Sequence, residues 1–92
     1  MPADPRSTPK LEAILGGVLR EMRLERGLSQ EELGHAIGSG RTYLSELERG
    51  EKNPTVKMLF RLAAGLGTTP TLIIERVQQR VQQRASPHEG KR

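Results

Sequence analysis

The sequence predicts an all-α fold of five helices. Three observations point there. Apolar residues recur at spacings of three and four rather than two, so helical faces are written along the chain and no strand pattern is. The periodic runs open on capping signals and close on glycine. The stretch SQEELGHAIGSGRTYLSELERG, Ser29 to Gly50, holds two helical runs separated by only Gly38-Ser39-Gly40.

Taken in order, residues 1–8 carry prolines and little apolar content and read as a flexible N-terminal arm. The domain is expected over residues 9–84. Thr8-Pro9 reads as a helix start, because Thr caps and proline is tolerated at the first helical position. Helix one then runs to about Arg26, with Leu11, Leu15, Leu19 and Met22 on one face and Gly27 as its stop. Gly16-Gly17 lies inside it at about 1 kcal/mol per glycine relative to alanine, a cost that a close helix contact would explain.

Helix two has the strongest start signal in the chain. Ser29-Gln30-Glu31-Glu32 is a capping box, with Leu28 and Leu33 forming the hydrophobic staple around it. Leu33, Ala36 and Ile37 are expected inward, and Gly38 ends the helix in a left-handed conformation. Helix three spans about Arg41 to Arg49, with Leu44 and Leu47 inward and Gly50 as its stop. Thr55 caps helix four, whose apolar side is Val56, Leu59, Leu62, Ala63 and Leu66 before Gly67. Thr69-Pro70 repeats the cap-then-proline signature and opens an extended helix five. A four-residue repeat there, Arg76-Val77-Gln78-Gln79 and Arg80-Val81-Gln82-Gln83, lines Ile73, Val77 and Val81 into one stripe. Residues 85–92 are Ser, Pro, Gly and charge, and read as a disordered tail.

The bulk numbers exclude several classes. The chain has 92 residues and no cysteine, so a disulfide framework and cysteine-ligated zinc are out and a reducing compartment fits. No apolar run approaches the roughly 18 residues of a membrane span, and MPADPRSTPK lacks the apolar core of a secretory signal. The expected location is the cytoplasm, on the nucleoid when bound. The net charge of +4 suggests a polyanion partner. Its distribution weakens that inference: residues 1–75 carry ten Lys/Arg and ten Asp/Glu, so the whole excess lies in residues 76–92. His35 and His88 are far apart with no cysteine partner, so no metal site is expected. No nucleophile–base pair, phosphate loop or paired carboxylates argue for an enzyme, and no cofactor is implied.

A three-residue link forces the helix after Gly40 to cross the helix before Gly38 at a steep, fixed angle. Two helices so joined by a short glycine-containing turn form a helix-turn-helix. The first lies across a DNA backbone and the second enters the major groove. Gly34 fits the small residue needed where the helices cross. A generic helical hairpin is the alternative reading of the same spacing.

At this point the sequence resembles a family. LSQEELGHAIGSGRTYLSELERGEKNPTVKMLFRLAAGLG is similar to the Cro/phage-repressor type of helix-turn-helix regulator, over roughly Leu15 to Ile74. RTYLSELERGEKNPT is particularly similar to restriction–modification controller proteins. The resemblance implies a compact five-helix, lambda-repressor-like domain, a homodimer, and a palindromic double-stranded DNA operator. The chain departs from the family pattern at Ser39, where an apolar residue is usual, at Gly40, where Ser or Thr caps, and at Gly34 and Gly65, where Ala is commoner.

Residue roles divide by source. By position on the outer face of helix three, Arg41, Thr42, Ser45 and Glu46 are the candidates for DNA contact. Arg41 can pair with guanine or grip a phosphate, Thr42 can meet a thymine methyl or a phosphate, and Glu46 can accept from cytosine or orient Arg41. Tyr43 falls between the faces, its ring on the domain and its hydroxyl toward the DNA backbone. The resemblance implies that Gln30 binds a phosphate and buttresses the recognition helix. It implies that Arg49, Lys52 and Asn53 lie in a phosphate-facing loop, and that Arg23 and Glu48 form a structural salt bridge. Ile73, Ile74, Val77 and Val81 offer more apolar surface than one small domain covers, and are expected to build a two-fold dimer. The competing view packs that stripe back on the domain. The leading function is a sequence-specific regulator that represses by occupying an operator. An antitoxin or controller component with a protein partner, and an interaction module without base reading, stand beside it.

Overall fold

The computed structural model describes residues 10–85. Thr8-Pro9, the expected arm and His88 lie outside them, as does the expected tail apart from Ala85. The described elements are α1 (Leu11–Glu25), α2 (Gln30–Ala36), α3 (Arg41–Glu48), α4 (Val56–Leu66) and α5 (Pro70–Ala85), with no strand among the described residues.

Local chemistry sets most boundaries. Ser29 Oγ accepts from the Glu32 amide at 2.9 Å while the Glu32 carboxylate accepts from the Ser29 amide at 2.8 Å, the reciprocal box that satisfies two orphan donors of α2. Thr55 and Thr69 cap α4 and α5 by accepting from the amides of Met58 and Leu72 at 3.0 and 3.2 Å. Among the helix ends, α2 is closed by a left-handed Gly38 whose following residue, Ser39, donates back to the Gly34 carbonyl at 3.0 Å.

The core gathers where α1 meets α3 and α5, with α2 and α4 closing it. Val18, Leu19, Leu33, Leu44, Leu62 and Ile73 are fully buried. Some residues of the expected faces lie outside the core. Leu11 is 60% exposed, while Leu19 and Met22 are buried as expected and Ile14 and Val18 join them. Ala36 is exposed and Val56 is 73% exposed, so α2 buries Leu33 and Ile37 and α4 buries Leu62, Ala63 and Leu66. Periodicity names a stripe about one side wide; which edge of it is covered depends on the neighbouring helix.

Helix five changes the expectation most. Ile73 and Val77 lie in the core of this single chain, and Val81 packs against that core, so these three do not form the free stripe expected of a dimer face. Ile74 alone of the four is exposed. The arginines of the repeat are engaged as well: Arg76 reaches Glu21 at 3.4 Å and Glu25 at 3.0 Å, and Arg80 pairs with Glu21. They clamp α5 along α1.

Candidate nucleic-acid interface

The link between α2 and α3 works because three glycines let backbone meet backbone. Gly40 has φ +96°, a region that side chains rarely enter, and both the Ser39 and Gly40 amides donate to the Gly34 carbonyl at 3.0 Å. A Cβ on Gly34 would stand 2.5 Å from the Gly40 carbonyl carbon and 2.9 Å from the Arg41 amide nitrogen, and would also strike the Gly40 oxygen. The two departures at Gly34 and Gly40 are therefore one device. The missing Cβ at Gly34 admits the Gly40 backbone, and the crossing is tighter than an alanine at position 34 would allow.

The far end of α3 is held by charge. Arg23 donates from Nε to Glu48 Oε2 at 2.6 Å and from its second terminal nitrogen to Oε1 at 3.0 Å. Its first terminal nitrogen donates to the Leu28 carbonyl at 2.7 Å, and the Gln30 amide donates to Glu48 Oε1 at 2.9 Å. Both charged side chains are buried, and no buried side-chain polar atom among the described residues lacks a partner. One carboxylate thus ties the end of α1, the start of α2 and the end of α3 together. Glu48 faces inward.

With its inner side fixed, α3 presents Arg41 and Thr42 as exposed side chains and Ser45 and Glu46 as half-exposed ones. Tyr43 packs against the core, and that burial pushes its hydroxyl above the ordinary tyrosine pKa, so it remains a neutral donor and acceptor. Gln30 is half-exposed beside the buried pair. Arg49, Lys52 and Asn53 are exposed, but none is unengaged. Arg49 holds Glu51 through two bonds, at 2.8 and 3.1 Å, and donates to Ser45. Lys52 lies 3.9 Å from Glu46, and Asn53 donates to Glu12 at 3.2 Å. Sequence reasoning missed Glu51 and Glu12. Glu51 is a near neighbour that reads as plain surface charge, and Glu12 lies 41 residues from Asn53, beyond any local signal. His35 is exposed, and no group of three or more potential metal ligands forms among the described residues.

A family profile described as Helix-turn-helix matches residues 19–73. This chain belongs to the Cro/phage-repressor type of helix-turn-helix proteins. The helix-turn-helix transcriptional regulator y4dJ of Sinorhizobium fredii, itself uncharacterized, is 42% identical over 59 residues, 64% of this chain and 77% of that protein. The clp gene regulator ClgR from Corynebacterium glutamicum superposes with a TM-score of 0.80 at 30% identity, covering 88% of this chain and 86% of that one. The restriction–modification controller protein C.Esp1396I, solved as a tetramer on its natural 35 base-pair operator, superposes with a TM-score of 0.73 at 30% identity, covering 80% of this chain and 97% of that one. No described helix is long and apolar enough to cross a membrane.

Proposed function

We propose that this chain is a cytoplasmic, sequence-specific transcriptional regulator that binds double-stranded DNA, acts as a dimer on a palindromic operator, and represses by occluding a promoter. The observation that carries the reading is the asymmetry of α3. Its inner side is locked by Leu44, Leu47 and the Arg23–Glu48 pair, while Arg41 and Thr42 stand free on the outside. A helix held rigidly on one side and polar on the other suits the major groove, where Arg41 pairs bidentately with guanine and Thr42 and Ser45 serve adjacent positions. Gln30, at the start of α2, serves a phosphate and steadies α3 through Glu48. Arg49, Lys52 and Asn53 serve phosphates along the loop, and the Tyr43 hydroxyl meets the backbone.

The chain works by binding and not by catalysis. Two copies related by a two-fold axis would set two recognition helices about 34 Å apart, one turn of DNA. With Ile73 and Val77 consumed by the core, Ile74 and Leu72, 46% and 51% exposed on α5, are the apolar residues this helix offers a second copy. The controller protein's operator complex supports DNA recognition by this fold.

The test is selection from random duplexes. Purified protein is mixed with a pool of random DNA, the bound fraction is amplified through several rounds, and the product is sequenced. An enriched palindrome with half-sites about one turn apart is the expected result. Folded protein that enriches nothing at low salt would refute sequence-specific binding and leave an interaction module in its place.

A further inference from the structure

The three polar residues assigned to phosphates in the loop after α3 each already hold a carboxylate of this chain. Glu51 lies on Arg49, Glu46 near Lys52 and Glu12 on Asn53. The Arg49 pair has the most telling geometry. Both Glu51 oxygens accept from one edge of the guanidinium, from Nε at 2.8 Å and a terminal nitrogen at 3.1 Å. That side-on fork is how arginine grips a phosphate. The remaining terminal nitrogen donates to Ser45 on the recognition helix, so Arg49 bridges α3 and the loop while its phosphate-binding edge is filled.

We propose that Glu51 is an internal placeholder for a DNA phosphate on Arg49, an autoinhibitory carboxylate that holds down the phosphate-driven part of DNA affinity. The inference rests on the DNA-binding reading above and adds to it a residue that opposes binding. The pair is solvent-exposed on both sides, and exposed ion pairs are weak. A backbone phosphate can therefore displace Glu51 rather than be excluded by it. Until it does, Arg49 brings little uncompensated charge to the duplex. Each phosphate neutralised by a free cation releases counterions and steepens the salt dependence of binding; a cation already neutralised by its own chain adds less. The chain's excess positive charge lies in residues 76–92, and residues 1–75, which hold this loop, are neutral overall. The Arg49 hydrogen bonds hold the Glu51 carboxyl below the ordinary carboxylate range, and Glu51 raises Arg49 in turn, so the pair is fully charged near neutral pH.

The experiment measures binding of the full chain to a fluorescently labelled random-sequence duplex by anisotropy across a salt series. Wild type, Glu51→Gln, Arg49→Gln and the double variant are compared. Glu51→Gln is expected to tighten binding at low salt by about fivefold, the scale of one surface ion pair, and to steepen the slope of log K against log salt by about 0.9. In the Arg49→Gln background the same change is expected to do nothing. A Glu51→Gln protein that binds like wild type, or an effect that survives loss of Arg49 and so reflects bulk charge alone, would overturn the placeholder. A wild type that binds no duplex at all would instead bring down the DNA-binding reading and this proposal with it.

Discussion

Replacing Gly16 and Gly17 with alanine, one at a time, should move stability in opposite directions although the two are adjacent in one helix. Alanine is favoured over glycine in a helix by about 1 kcal/mol at either position. At Gly17 nothing lies within 4 Å of where the Cβ would sit, so Gly17→Ala should collect that gain. At Gly16 the Cβ would stand 2.6 Å from the Glu48 carbonyl oxygen and 2.9 Å from its carbon, and the Leu47 oxygen is also struck. Real Cβ contacts essentially never fall below 3.0 Å, so the Glu48 oxygen alone is 0.4 Å too near. These are backbone atoms of the last turn of α3, and no rotamer change removes them. Helix α1 must withdraw from α3, loosening the packing of Val18, Leu19, Leu44 and Leu47. Overpacking costs about 1–3 kcal/mol, and an unyielding backbone contact belongs at the upper end. After the helical gain, Gly16→Ala should lose about 2 kcal/mol and lie about 3 kcal/mol below Gly17→Ala. For a domain of this size that separates their melting temperatures by on the order of 10–20 °C. Thermal and urea unfolding followed by circular dichroism would measure it. A Gly16→Ala protein as stable as Gly17→Ala would refute the close packing of α1 on α3.

Arg23→Ala should cost about 3–5 kcal/mol in urea unfolding because it strands the buried Glu48 charge, and Arg23→Met with Glu48→Leu should cost less than either single change. Gly34→Ala should weaken operator binding about tenfold, equivalent to about 1.4 kcal/mol, because the Gly40 and Arg41 backbone must move and carry α3 with it; unchanged affinity in a filter-binding assay would contradict the tight crossing. Ultraviolet titration of Tyr43, the single tyrosine in the chain, should give a midpoint above the ordinary tyrosine value. The hydrogen bond from Arg80 holds the Glu21 carboxyl below its ordinary range, so the folded pKa is lower than the unfolded one. The α1–α5 clamp therefore stabilises fully above the ordinary carboxylate pKa and is lost as pH falls through the lowered folded value. The protection factors of the α5 amides, which correct hydrogen exchange for its intrinsic pH dependence, should fall in acid, and Glu21→Gln should reduce that fall.

Much of the local plan was legible because its signals are short-ranged. The Ser29–Glu32 box, the Thr55 and Thr69 caps and the Gly38 stop each involve residues within a few positions of one another. The tight turn after Ile37 was legible for the same reason, since three residues leave few paths. The Arg23–Glu48 pair was reached only through family resemblance, because nothing local links residues 25 apart. Helix faces were read less well. Leu11, Ala36 and Val56 fit an apolar stripe as well as their buried neighbours do, and a stripe does not say where the partner helix ends.

By itself the sequence determined five helices, where α2 through α5 begin, and the enforced crossing between α2 and α3. Those follow from hydrogen bonds and backbone freedom within one turn of chain. Only the tertiary structure decided what each side chain is free to do. It folded Ile73 and Val77 into the core because α5 lies along α1 and against α4, and it spent Arg76 and Arg80 on Glu21 and Glu25. It gave Gly16 and Gly34 their purpose as points where one backbone touches another. It also set carboxylates on the loop residues that a sequence reader would leave open for DNA. Burial and pairing belong to neighbours brought together from distant positions, and a local pattern carries no record of them.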